Sequence, residues 1–186
     1  MAHSRRGFLQ GSGILLSYML AGETLLLSPR AAHAAQLSYE VLTADEAETL
    51  QGLCEAMVPG AREAGIAHYI DKQLAQAPVG DSLLMLKYLG VPPADFAGFY
   101  RAVLGSAQNL AETRHGKTWR ELDDAQSGAL LAEIAGDKAP GWEGPPASFA
   151  FFVLRSDACD VVYGTEAGFA RLGIPYMAHL LPAQPW

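Results

Sequence analysis

Two carboxylate pairs are the first side chains in this 186-residue chain whose types and spacing suit chemistry. Glu63 and Asp71 bracket the start of an apolar-striped segment, and Asp157 and Asp160 stand three residues apart in another. Paired carboxylates do general acid–base work when their environments suit it; on helices they are more simply solvated faces and helix-end charges. His68, His115 and His179 lie on different segments, and none has a second His or Cys at metal-ligand spacing. Ser82, Ser106 and Ser148 lack the G-x-S-x-G turn of an activated serine. No C-x-x-C or C-x-x-C-H motif occurs, no Gly-rich phosphate loop ends in Lys-Ser/Thr, and no G-x-G-x-x-G follows a strand pattern. The expectation is a chain with no catalytic, cofactor-binding or metal set of its own.

The elements that would position these residues read as helices. Thr43-Ala44-Asp45-Glu46 has the pattern of a capping box, in which hydroxyl and carboxylate satisfy early backbone N–H groups. Leu50, Leu53, Cys54, Met57 and Val58 then recur at three and four, and Pro59-Gly60 stops the run. Gly65 precedes a second stripe of Ile66, Tyr69, Ile70 and Leu74. "VGDSLLMLKYLG" predicts a third helix ending at Gly90, and Pro92-Pro93 opens a long fourth. Asp123 caps a fifth, and a sixth runs from about Ser148 to Gly164. No alternating β-branched run indicates a strand. The expected fold is all-α, an irregular bundle of five or six helices. Its last stretch, residues 165–186, is apolar and aromatic yet broken by glycine and proline, so it forms no continuous helix and needs a surface to lie on.

The N-terminus carries a different signal. Ser4-Arg5-Arg6-Gly7-Phe8-Leu9 places a basic pair before a modest apolar run, followed by Ala32-His33-Ala34 with small residues at minus three and minus one. This is the layout of a cleaved export signal, with Ala35 as the first mature residue. Gly11, Gly13, Gly22 and Glu23 argue against a spanning helix. The arginine pair with Phe-Leu at that offset resembles the bacterial twin-arginine signal, which implies transport of a folded protein by the twin-arginine translocase into the periplasm. The chain therefore divides into a signal, 1–34, and one helical domain, 35–186. A cut there removes Arg5, Arg6 and Arg30 but only Glu23, taking the net charge from −7 to −9. An acidic chain without a basic cluster is no nucleic-acid binder. Cys54 and Cys159 either pair in an oxidising compartment or remain two buried thiols, the second reading being preferred.

"LTADEAETLQGLCEAMVPG", "REAGIAHYIDKQLA" and "SFAFFVLRSDACDVVYGTEAGF", with a late "LGIPY" and a terminal Trp, resemble gluconate 2-dehydrogenase subunit 3. The elements that carry the resemblance are Leu42-Thr43, Pro59-Gly60, Ala64-Gly65-Ile66, Ile70-Asp71 and Tyr163-Gly164. The resemblance implies a small subunit without a redox centre. It would help a large FAD-binding flavoprotein of the glucose-methanol-choline class to mature and cross the membrane, often beside a multihaem cytochrome c subunit that carries haem c. The large subunit would oxidise a sugar, sugar acid or polyol, and the complex would be membrane-associated through partner subunits. Tyr163, Phe169, Ile174, Pro175, Tyr176 and Trp186 are the expected partner contacts. The competing expectation is a self-sufficient exported helical enzyme or ligand-binding protein, with a polar site built from His68, Asp71 and Asp160.

Overall fold

Leu16 and Tyr18 alternate inward with Ser17 outward, a period of two that suits a strand with one buried face. They lie in β1 (Leu16–Leu20), which pairs antiparallel with β2 (Glu23–Leu27), Leu16 opposite Leu27 and Leu20 opposite Glu23. This computed structural model describes residues 14–20, 23–79 and 82–175. The hairpin corrects the expectation of no strands. Its apolar run reads as signal composition, whereas the strands are fixed by packing of Leu16 and Tyr18 against the helices. Ser28 caps the short helix α1 (Pro29–Ala34), its hydroxyl accepting from Ala31 N–H at 3.2 Å.

The bundle is predominantly helical, as the sequence indicates. Thr43 and Glu46 form the expected capping box of α2 (Ala44–Met57). A single turn, α3 (Ala61–Ala64), ends on Gly65, whose φ of +84° lies in the left-handed region that favours glycine. From it starts α4 (Ile66–Gln76). The helix expected over 79–90 shrinks to α5 (Met85–Tyr88). The Leu83 N–H donates to the Gln73 side chain and the Met85 N–H to Asp157, so tertiary partners claim the backbone before Met85. After the 3₁₀ turn Pro93–Asp95 comes α6 (Phe96–His115), then α7 (Asp124–Ala135) behind the Asp123/Gln126 capping box. The last long helix is α8 (Ala147–Tyr163), followed by α9 (Glu166–Arg171).

Helix α2 lies at the centre, touching α4, α6, α7 and α8. Leu50, Tyr69, Ile70, Phe96, Tyr100 and Ile134 are the large side chains sealed between them. Burying such a side chain contributes about 1.5–3 kcal/mol, which accounts for a single core built from stripes at helical spacing. No helix among the described residues is long and apolar enough to cross a membrane.

Candidate functional site

Asp71 is buried on α4, and its carboxylate accepts the backbone N–H groups of Glu40, Val41 and Leu42 at 2.9, 2.8 and 2.9 Å. These donors occupy most of its accepting capacity. Asp71 thus fastens the turn at 40–42 to α4 and sets the position at which Thr43 begins α2. One residue on, Lys72 pairs with Glu40 and holds its ammonium 5.0 Å from the centre of the Tyr18 ring.

His68, one turn earlier on α4, donates from Nε2 to the Leu37 carbonyl at 2.9 Å, the tautomer a carbonyl partner requires. Its Nδ1 is buried without a hydrogen-bond partner among the described residues. Burial pulls the imidazole pKa below its usual value, and the hydrogen bond to Leu37 pulls the other way. Asp160 is exposed on α8, on the side near Tyr69, with its carboxyl raised by partial burial. His68 and Asp71 therefore serve the segment 37–42, while Asp160 belongs to another surface. The structure does not assemble the three into one polar site. Glu63 likewise pairs with Arg30 at the surface.

The carboxylate with the most unusual surroundings is Asp157, fully buried on α8. It accepts the Met85 N–H at 2.8 Å and the Tyr100 hydroxyl. Burial pushes its carboxyl up to about 7, although both hydrogen bonds favour the ionised form. The neighbouring Tyr100 and Tyr69 phenols and the Cys54 thiol are all pushed up, first by burial and then by the Asp157 charge. With α5, α6 and α8 meeting on it, Asp157 is a tie between helices. Neither motif nor spacing marks this role, because Met85 and Tyr100 lie 72 and 57 residues away. Cys54 and Cys159 are free thiols, Cys54 in the core and Cys159 half-buried on α8. The disulfide is not formed. Cys159 stands two residues from Asp157, about 200° round the helix, whereas Cys54 lies on the Asp157 side.

Of the expected partner-contact residues, Tyr163 ends α8, Phe169 lies in α9, and Ile174 and Pro175 follow α9. Thr165 caps α9 through its hydroxyl, which accepts the Gly168 N–H at 3.0 Å. A Cβ at Gly168 would stand 2.4 Å from the Val162 carbonyl oxygen and 2.5 Å from Tyr163 Cα, so only glycine lets α9 fold back this closely. Tyr163 is half-buried, with the Arg171 guanidinium 6.0 Å from its ring centre. Phe169 accepts the Ile174 N–H at 3.0 Å, which turns the chain back along α9. Leu172 and Ile174 stay 52% and 51% exposed, and Pro175 is exposed beside them. Tyr176, His179 and Trp186 lie outside the described residues.

Beside this end runs a groove of about 820 Å³. Its apolar lining comes from Pro29, Ala64, Val161 and Ala170, with Glu63 and Arg171 among its charged residues. One wall is thus the segment around α1 and the other is α8–α9. Such an arrangement offers a partner apolar contact with a charged border, the composition of an interaction surface. Among the described residues no cluster of three His, Cys, Asp or Glu side chains is placed to hold a metal. The motif residues Ser4, Arg5, Arg6, Phe8 and Leu9 lie outside the described residues. Of the expected cut site, Ala32 is fully buried, while Ala34 and Ala35 are exposed.

A family model described as gluconate 2-dehydrogenase subunit 3 matches residues 44–178. No curated protein and no solved structure matches the chain.

Proposed function

The chain belongs to the gluconate 2-dehydrogenase subunit 3 family, a subunit of a larger complex, and from that premise we propose that it is the non-catalytic small subunit of a periplasmic, membrane-associated dehydrogenase. Its partner is a large flavoprotein of the glucose-methanol-choline type that holds FAD and oxidises a sugar, sugar acid or polyol. A multihaem cytochrome c subunit carrying haem c is the third member that such complexes often include. The small subunit supports maturation of the large one and accompanies it through the twin-arginine translocase, led by Arg5-Arg6.

One observation in this chain carries the reading: the apolar end of α8–α9. Leu172 and Ile174 present about half their surface to solvent at a place where Gly168 lets the chain fold back onto the bundle. Half-exposed aliphatic residues beside an apolar groove suit contact with another protein. FAD is assigned to the large subunit, and no residue of this chain is assigned to it.

The experiment is deletion of residues 165–186 with the flavoprotein co-expressed. Loss of co-purification with helical content and melting of the bundle retained supports the docking role. An intact complex, or a bundle that unfolds, refutes it.

A further inference from the structure

We infer that β1, β2 and α1 form a latch seated on α4 that holds the cut site in a helical, non-extended form in the folded precursor. The inference rests on the export reading above; the surface it assigns is the face of α4 that receives the latch.

The contact is built from both sides. A Cβ at Gly65 would lie 2.1 Å from the Pro29 carbonyl oxygen and 2.8 Å from Arg30 N, so the backbone of α1 rests directly on the start of α4. Next along that face, His68 donates to the Leu37 carbonyl and meets the His33 ring edge-on, centres 5.8 Å apart. The His68 carbonyl accepts the Tyr18 hydroxyl at 3.4 Å, and Lys72 lies over the Tyr18 ring. Arg30 pairs with Glu63 at the edge. Leu16 and Tyr18 are buried as deeply as the core of the bundle. These residues precede Ala44, where the family match begins, yet their receiving surface lies within it.

A peptidase must bind its substrate as an extended strand with the minus-three and minus-one side chains presented. Here Ala32 and Ala34 lie in α1, the Ala32 side chain is sealed, and the Leu37 N–H donates back to the Ala32 carbonyl at 3.1 Å. The peptide between Ala34 and Ala35 therefore becomes a substrate only when α1 unwinds and leaves α4. Cutting of a folded chain tracks the population of such an opened state when opening is fast. Because Ser28, Pro29 and Arg30 also form one wall of the groove beside α9, release of the latch opens that groove as well.

The test uses the purified full chain with two proteases, trypsin read at Arg30–Ala31 and bacterial leader peptidase read at Ala34–Ala35, by mass spectrometry. The double variant Leu16→Glu/Tyr18→Glu unseats the hairpin while leaving Ala32, Ala34 and Ala35 unchanged. Tyr18→Ala gives the same direction without added charge. The expected result is that wild type is cut at least ten times more slowly than either variant at both bonds, with the bundle still melting cooperatively. Equal rates in wild type, variants and urea-unfolded chain overturn the latch while leaving the export reading intact. If leader peptidase does not cut even the unfolded chain at Ala34–Ala35, the export reading and the gating fall together.

Discussion

Replacing Asp157 by asparagine separates the cost of a buried charge from the value of the hydrogen bonds it makes. In the folded chain the carboxyl keeps its proton up to about pH 7, whereas the unfolded chain releases it near 3.8. Between these values folding takes up a proton, so this contribution is complete below pH 3.8 and is lost as pH rises through 7. The separation corresponds to about 4 kcal/mol, with a steepest slope of about 1.4 kcal/mol per pH unit. In Asp157→Asn the amide oxygen can still accept from Met85 N–H, and the amide nitrogen donates to the Tyr100 oxygen. The phenolic proton then loses its acceptor, which costs about 1–3 kcal/mol at every pH. His68, lowered by burial, acts in the opposite sense and loses stability as pH falls through its ordinary 6.5. The difference between variant and wild type cancels that term. Urea unfolding followed by circular dichroism at several values between pH 5 and 8 gives this difference directly. The expected outcome is a variant weaker than wild type at pH 5 whose deficit shrinks or reverses by pH 8. Parallel curves, with a constant deficit across that range, refute the reasoning.

Gly168→Ala places a methyl group against the Val162 carbonyl and Tyr163 Cα, so α9 must lift from α8; the expected result is a bundle that melts nearly as before but no longer retains the flavoprotein in a pull-down. Asp71→Ala removes the acceptor of three backbone N–H groups, and the unfolding free energy should fall by about 3–5 kcal/mol, with Asp71→Asn losing less; a loss under about 1 kcal/mol would show that water replaces the carboxylate. A thiol reagent should modify one cysteine per native chain, Cys159, and a second only after unfolding, since burial seals Cys54 and raises its thiol. No modification under non-reducing conditions would mean that the two pair.

Much of the bundle is legible because its signals are local. Thr43 with Glu46, Asp123 with Gln126, and Gly65 before Ile66 each announce a helix boundary within four residues, and the structure places the boundaries there. The run at 79–90 carries apolar period but no cap, and the hydrogen bonds that keep its first part out of a helix come from Gln73 and from Asp157 on α8. The same distance in sequence hides the roles of Asp71 and Asp157, which look like solvated helix charges until their partners are brought to them. The hairpin was obscured for another reason. Its leucines serve an export segment and a buried strand face equally well, and only the face of α4 distinguishes the two. At the candidate site, the sequence points to Tyr163, Phe169, Ile174, Pro175, Tyr176 and Trp186 by composition; of the first four, the structure puts Tyr163 at the end of α8, Phe169 in α9, and Ile174 and Pro175 beyond it. The sequence does not show that Gly168 permits the turn, because that depends on a close approach of backbones.

The central claim is that this chain escorts a flavoprotein and performs no oxidation itself. Its most direct test is co-expression of the full chain with the large subunit, alongside each alone and alongside a variant with Arg5 and Arg6 both changed to Lys. Flavin absorbance and dye-linked sugar-acid oxidation are then measured in the periplasmic fraction. The account predicts both signals only when the two proteins are made together with the arginine pair intact, and neither from this chain alone. Flavin or activity in the purified small chain by itself, or normal export of the large subunit without it, would contradict the account.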